Sequence, residues 1–310
     1  MQKVFDKKRM EQIENQPLLT LCIPIYNRLT FLEKQLKRFS EDKELFDKKI
    51  QLVIADNCSE EDLKSCCKKY QLQGLKMIYH RQVTNIGPDK NFEWGFHHAD
   101  GKYVWLLGSD DVPVSGFVKK LVEHLEGSDY GLVHLSMRKT AKKLLVYENS
   151  DDMAIAVSYW ITFMSSNIIR VESLKTIDLS DYRKSNMIQV PAYLNACCSY
   201  QTNAIIYFPQ FFEQDTDSAS NGGYNIFEVF VTNLYGIYDA FVQKGLLSRF
   251  TFNKLIRNEY RDFLTPYIIR LVILRQKSSL KIDGWVWRLK KYYSHKLYAY
   301  YYILFPFLRK

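Results

Sequence analysis

Five consecutive apolar residues, Tyr103-Val104-Trp105-Leu106-Leu107, run through Gly108-Ser109 and stop at Asp110-Asp111-Val112-Pro113. An apolar run without alternation fits a strand covered on both faces, the position of a core strand in a mostly parallel sheet. Asp, Asp and Pro then close the strand, because proline has no N–H for the ladder. In open α/β sheets ligands gather at the carboxyl ends of the strands. Two acids delivered there are placed to hold a divalent cation and, through it, phosphate oxygens. An Asp pair is also an ordinary polar turn, so the pair alone assigns nothing.

The surrounding chain supplies the rest of such a sheet. Strands are expected over 18–25, 50–55, 75–80, 103–107 and 130–136, with helices over 29–39, 59–70, 89–98 and 114–125. Thr30 is a candidate cap for the first helix, and Ser59 with Asp62 resembles a capping box for the second. Strand and helix in alternation imply right-handed crossovers and a doubly wound α/β domain. Beyond Met137 the pattern weakens. The stretch 155–163 is open between helix and strand, strands are expected over 168–171 and 204–208, and helices over 191–198 and 225–242. The divisions are a lead-in over 1–17, a first half over 18–137, a second half over 138–249 and a terminal segment over 250–310.

Charge separates that terminal segment from everything before it. The net charge is +9, yet residues 250–310 hold 13 Lys and Arg against 3 Asp and Glu, leaving 30 against 31 in residues 1–249. The segment interleaves cations with aromatics, as in Trp285, Trp287, Arg288, Lys290, Lys291, Tyr292 and Tyr293. Trp and Tyr favour the headgroup region and cations favour anionic leaflets, which suits helices lying on an anionic membrane surface. The same pattern suits helices packed on the main domain with a solvated basic face. Aliphatic runs such as 268–274 argue against nucleic acid as the partner.

The six cysteines include the adjacent pairs Cys66-Cys67 and Cys197-Cys198, a spacing unlike zinc ligand sets, so free thiols are expected. The polar, charged first 17 residues lack the apolar core of a secretory signal, and no apolar stretch reaches the ~20 residues of a spanning helix. The expected location is cytoplasmic, peripheral at the inner face of the cell membrane.

Three strands thus end in polar groups on one sheet edge: Tyr26-Asn27-Arg28, Asp56-Asn57 and Asp110-Asp111. A carboxylate can accept the imino proton of a uracil-type base, while a carboxylate-bound cation neutralises a diphosphate. Neither a Gly-x-Gly-x-x-Gly turn nor a Gly-Lys-Ser/Thr loop is present. Taken in order, 20–28 (TLCIPIYNR), 53–59 (VIADNCS), Asn85-Ile86-Gly87 and 106–111 (LLGSDD) resemble the family-two glycosyltransferases of the GT-A fold, especially bacterial enzymes of O-antigen, capsule or other surface-glycan synthesis.

The resemblance covers about residues 18–135. It implies a doubly wound, mostly parallel α/β sheet, to which this chain adds the α-helical, basic-aromatic C-terminal segment. It also implies that Pro24, Tyr26 and Arg28 line a nucleotide pocket, that Asp56 contacts the base, and that Asn85 and Asn91 lie beside the ribose or diphosphate. Asp110, with Asp111, would hold Mg²⁺ or Mn²⁺; Gly108 stands where many members carry a first acid. The implied reaction is inverting transfer from a nucleotide-sugar donor to a hydroxyl of a glycan or lipid-linked glycan. A carboxylate takes the hydroxyl proton. The family's acid pair before a helix is missing at Gln189-Val190-Pro191, leaving Glu213, Asp215 and Asp217 downstream and Asp178 and Asp181 upstream, with the base unassigned among them. Two other readings are a nucleotidyltransferase and a non-catalytic nucleotide-binding scaffold of the same fold.

Overall fold

A computed structural model describes residues 16–138, 140–213 and 223–308. Its centre is an eight-stranded sheet of β1 (Leu19–Ile25), β2 (Ile50–Asp56), β3 (Ile78–Arg81), β4 (Tyr103–Leu106), β5 (Leu132–Ser136), β6 (Leu144–Tyr147), β7 (Asn167–Arg170) and β8 (Asn203–Tyr207), in the order β3-β2-β1-β4-β7-β5-β8-β6. β3, β2, β1 and β4 are parallel; β7 runs antiparallel between β4 and β5; β5 and β8 are parallel; β6 closes the edge antiparallel. Six strands therefore point one way, and the carboxyl ends of β1, β2 and β4 share an edge. The sheet runs across the boundary expected near residue 137.

Side chains alternate between two cores, as a two-residue period requires. On β4, Val104 and Leu106 face one core, and Tyr103 and Trp105 the other. On β1, Cys22 faces the first, while Leu21 and Ile23 face the second. The helices are α1 (Leu29–Ser40), α2 (Lys43–Lys48), α3 (Leu63–Leu72), α4 (Pro88–His97), α5 (Phe117–Leu125), α6 (Ser150–Val157), α7 (Gln189–Ser199), α8 (Leu234–Gln243), α9 (Arg249–Glu259), α10 (Trp285–Tyr293) and α11 (Leu297–Leu308). Leu32, Leu36 and Phe39 of α1, with Leu121, Val122 and Leu125 of α5, fill the second core. Phe96 of α4, Tyr193 and Leu194 of α7, and Tyr235, Ile237 and Phe241 of α8 fill the first.

Several local expectations change. α1 begins at Leu29 after Arg28 in the left-handed region, without a side-chain cap from Thr30. Asp62 alone caps α3, accepting from Ser65 N at 3.0 Å, because Ser59 is committed to Asp56. The third strand starts later than expected, at Ile78, since Gly74 turns the chain at φ +93°. Stretch 155–163 becomes the end of α6 and a 3₁₀ turn, Ser158–Thr162. The long helix expected over 225–242 opens with a π-helical stretch, Glu228–Asn233, before α8. β6 and α2 are additions.

The terminal segment packs rather than lying apart. Phe252, Leu255 and Ile256 of α9, and Ile268 beyond it, are buried in the first core. Among the described residues no helix is long and apolar enough to cross a membrane. The lead-in, up to residue 15, lies outside the described residues. The cysteines are free thiols.

Candidate functional site

After β1 the chain turns through Asn27 and Arg28, whose φ values of 58° and 68° place two non-glycine residues in the left-handed region. Side-chain bonds hold this turn: Ser59 Oγ accepts from Asn27 N at 2.7 Å, and Asn27 Oδ1 accepts from Glu60 N at 2.9 Å. The turn points Arg28 across the edge toward β4. Its Nη1 lies 2.9 Å from Asp110 Oδ2 and 3.1 Å from Ser109 Oγ.

At the end of β2, Asn57 organises the next wall. Its Nδ2 donates to Asn85 Oδ1 at 3.0 Å, and its Oδ1 accepts from Ile86 N at 2.9 Å. Asn91, buried on α4, donates through Nδ2 to Ala55 O at 2.8 Å. Pro24, Tyr26, Arg28, Asn57, Asn91 and Asp110 are among the residues lining a cavity of ≈ 590 Å³ at this edge, and Asn85 joins them.

The acid turn after β4 is fixed from below. Buried Gln35 of α1 donates through Nε2 to Gly108 O at 2.8 Å and Asp111 O at 2.9 Å. Ser165 Oγ accepts from Gly108 N at 2.7 Å and donates to Asp111 Oδ2. Burial pushes the Asp111 carboxyl up to about 6; the Ser165 hydrogen bond and the Arg28 charge oppose the shift, and the Asp110 charge reinforces it. Gly108 lacks a side chain for a geometric reason. A Cβ there would stand 2.5 Å from Asp111 Oδ2 and 3.0 Å from Ser165 Oγ, so the place where a first acid is expected is taken by Asp111.

A second cavity, ≈ 730 Å³, opens on the other side of this turn. Pro88, Phe92, Gly108, Asp110 and Met164 line both cavities. The second cavity adds residues from four later stretches, among them Tyr159 and Trp160, Asn186, Tyr224 and Phe230, and Asp262, Phe263 and Tyr267. Asp89, in the first turn of α4, also lines it and accepts from Asn186 N at 2.9 Å; burial raises its pKa.

Residues 20–187 match the family described as Glycosyl transferase family 2. The chain belongs to this family. It is 29% identical over 184 residues to the abequosyltransferase RfbV of Salmonella typhimurium, covering 52% of this chain and 55% of that protein. It is 29% identical over 108 residues to the GalNAc(5)-diNAcBac-PP-undecaprenol beta-1,3-glucosyltransferase of Campylobacter jejuni, covering 34% of each. The chain thus matches about half the length of the first of these relatives and a third of the second. In fold it is similar to S. aureus TarS 1–349, with a TM-score of 0.61 and 15% identity over 88% of this chain and 79% of that one. The fold is accordingly GT-A.

Within that family frame, Pro24, Tyr26, Arg28, Asn85, Asn91 and Asp110 are found together at one cavity, and Asp111 stands beside them on the second. Asp56 is placed differently from its neighbours. It is fully buried, behind the cavity lining, with Oδ1 accepting from Ser59 N and Oγ and Oδ2 accepting from Tyr79 OH at 2.6 Å and Arg81 Nη1 at 3.4 Å. Among the residues expected as proton acceptors, Glu213 pairs with Arg38, and Asp178 caps the Ser180 N–H at 2.8 Å. Neither they nor Asp181 line either cavity. Asp215 and Asp217 lie outside the described residues. Gln189 opens α7 and donates to Thr162 O at 3.1 Å. Residues that sequence reasoning passed over are Gln35, Ser165, Asp89 and Asp262. Gln35 alone left a trace, a polar residue on the apolar face of α1.

Proposed function

We propose that the protein transfers a sugar, with inversion, from a nucleoside-diphosphate donor to a hydroxyl of a lipid-linked surface glycan. The observation that carries this reading is the meeting of two cavities at Asp110. A bisubstrate displacement needs a donor and an acceptor brought together with reacting atoms about 3–3.5 Å apart, and adjoining cavities with a shared wall supply that arrangement. The names of the Salmonella and Campylobacter relatives, one an abequosyltransferase and the other acting on an undecaprenol-linked glycan, support the surface-glycan acceptor.

In the first cavity, Tyr26, Asn57, Asn85 and Asn91 would hold the nucleoside and ribose, and Arg28 would face the diphosphate. Asp56 would act from behind, fixing Ser59, Tyr79 and Arg81 at the base end. The acid turn fits a divalent cation, since Mg²⁺ and Mn²⁺ commonly take one or two carboxylates and complete their shell with phosphate oxygens and water. Among the described residues no cluster of three or more His, Cys, Asp or Glu offers a closed protein site. Asp110 and Asp111 would hold the ion, which when bound supplies charge to the departing diphosphate. The acceptor proton would pass to a carboxylate of the second cavity, where Asp89 and Asp262 take the place of Glu213, Asp178 and Asp181 as candidates. As the acceptor oxygen bonds to the anomeric carbon, the carbon–phosphate oxygen bond breaks and the nucleoside diphosphate leaves.

At the other end of the chain, Val286, Trp287, Leu297 and Tyr300 are exposed beside the exposed Lys290, Lys291 and Lys296. This face supports peripheral attachment to an anionic membrane, on its cytoplasmic side. The test of the whole reading is a thermal-shift panel of nucleoside diphosphates with and without Mn²⁺. A shift with one nucleotide that grows with Mn²⁺ is expected; a panel with no shift in either condition would sink the donor assignment.

A further inference from the structure

The second cavity combines two properties that together select a class of ligand. One wall is a continuous aromatic surface. Trp160 stacks on Tyr159 with centroids 5.1 Å apart and planes at 28°, Tyr159 meets Phe263 at 5.7 Å, and Phe263 packs on Phe230 at 4.3 Å and Tyr267 at 5.0 Å. All five line the cavity, and Trp160 is 42% exposed. Phe230, Phe263 and Tyr267 lie outside residues 20–187, so much of this wall is built by chain beyond the family match.

The other property is charge. Asp89, Asp110, Asp111 and Asp262 line the cavity, and among the described residues lining it none is Lys, Arg or His. Arg28 offsets Asp110 from the first cavity, and Arg261 clasps both oxygens of Asp262 from outside the lining, Nε to Oδ1 at 2.5 Å and Nη2 to Oδ2 at 2.6 Å. The interior therefore presents carboxylate oxygens, the amide of Asn186 and the hydroxyl of Thr162, all suited to accepting hydroxyl hydrogens.

A pyranose ring has one face of C–H groups and a rim of hydroxyls. The aromatic wall matches the face, and the acids match the rim. A phosphate or uronate group would instead meet Asp89 and Asp262, the lining acids not assigned to the cation, with no Lys, Arg or His among the described lining residues to pair with, and like charges so juxtaposed are disfavoured. A simple aliphatic chain would desolvate those acids and return no hydrogen bonds to them. Resting on the glycosyl-transfer reading above, we propose that the second cavity receives the terminal ring of the acceptor as an uncharged sugar, stacked on the Tyr159–Trp160 and Phe263–Tyr267 surface, with Asp262 accepting from its hydroxyls. Acidic sugars are excluded from this position, whatever charge the acceptor carries further along.

Trp160 is its own reporter. The full chain is titrated with the methyl β-glycosides of glucose, galactose, N-acetylglucosamine and glucuronic acid, followed by tryptophan fluorescence and by saturation-transfer NMR. At least one neutral glycoside should change the fluorescence saturably. In Trp160→Phe that optical change should vanish while the NMR transfer persists. Tyr267→Ala should weaken the neutral glycoside at least 10-fold, with the nucleoside-diphosphate thermal shift retained as the check on folding. Glucuronide should bind at least 10-fold more weakly than glucoside, and Asp262→Asn should narrow that gap. Equal binding of glucuronide and glucoside, unchanged affinity in Tyr267→Ala, or no neutral glycoside binding overturns the proposal. Glycoside binding without any nucleotide shift would keep the sugar site and remove the donor reading. A nucleotide shift without glycoside binding would do the reverse.

Discussion

The two cavities share a wall but are built in different ways. The first is assembled by topology: parallel strands β1, β2 and β4 end together, and hydrogen bonds from Asn27 to Ser59 and from Asn57 to Asn85 tie the turns after β1 and β2 to their neighbours. The second is assembled by packing, from six stretches scattered between Pro88 and Tyr267 whose side chains meet only after the chain has folded. On the proposed reading, the donor site is inherited with the sheet, whereas the acceptor site is composed on top of it. This is how one fold serves different acceptors.

The comparison breaks most directly at the shared turn. Asp110→Ala with Asp111→Ala should lower nucleoside-diphosphate release by about 100-fold or more at saturating donor, the scale of a lost electrostatic stabiliser. Undiminished release would detach the acids from the chemistry, and neutral glycoside binding measured alongside shows whether the second cavity survives on its own.

The next effect concerns what holds the second cavity up. His134 is buried on β5 with Nδ1 2.9 Å from Asn167 Oδ1, and Asn167 Nδ2 in turn donates to Phe163 O at 2.8 Å and Ile161 O at 3.2 Å, securing the loop behind Thr162 and Phe163. Burial lowers the His134 pKa to about 4 against an ordinary 6.5, with the Asn167 bond opposing the shift. The folded state thus prefers the neutral ring. Stability is fully present above about pH 6.5 and is lost as pH falls toward 4, by on the order of 3 kcal/mol. Denaturant melts across this range should show that loss in the wild type and a flatter profile in His134→Gln. Parallel profiles would mean that another group carries the acid sensitivity. Asp111, with its raised pKa, has the opposite sign, so the two must be separated by mutation.

A smaller effect is expected at Gly108. A methyl group there must displace Asp111 or Ser165, so Gly108→Ala should slow transfer about 10-fold while shifting the melting temperature little. Wild-type turnover in that variant would show that the carboxylate has room to move. The smallest effect lies farthest from both cavities. Replacing Lys290, Lys291 and Lys296 together by Gln should weaken sedimentation with anionic vesicles at low salt by about 1 kcal/mol per cation, with transfer to a water-soluble acceptor unchanged. Equal sedimentation of variant and wild type would remove the membrane role of α10 and α11.

The same contrast explains what was legible in the sequence. The strand-end motifs were readable because each lies within a few residues of its own strand, and the sheet then brings the ends together without further information. Asp110 and Arg28 were found this way, 82 positions apart and joined at 2.9 Å. Gln189 marked a missing acid, but nothing local revealed that Asp89 and Asp262 would line the cavity instead, because their meeting depends on helix packing far from either residue. Glu213, one of several unassigned candidates picked out only by position along the chain, is tied to Arg38. The basic segment was undecidable from composition, since buried Phe252, Leu255 and Ile256 share α9 with exposed cations that also suit a lipid surface. The antiparallel insertion of β7 was hidden for the same reason: four residues, Asn167–Arg170, carry no sign of direction.

The wall common to both cavities has a thermodynamic meaning. Pro88, Phe92, Gly108, Asp110 and Met164 face two cavities at once, so whatever position they take for a ligand in one is the surface offered to a ligand in the other. The two substrates cannot then bind as strangers. If a seated nucleotide sugar raises the affinity for the acceptor by some factor, the acceptor must raise the affinity for the nucleotide sugar by the same factor. On the proposed reading the partition therefore also acts as a coupling element, made of a few side chains that belong to neither site alone.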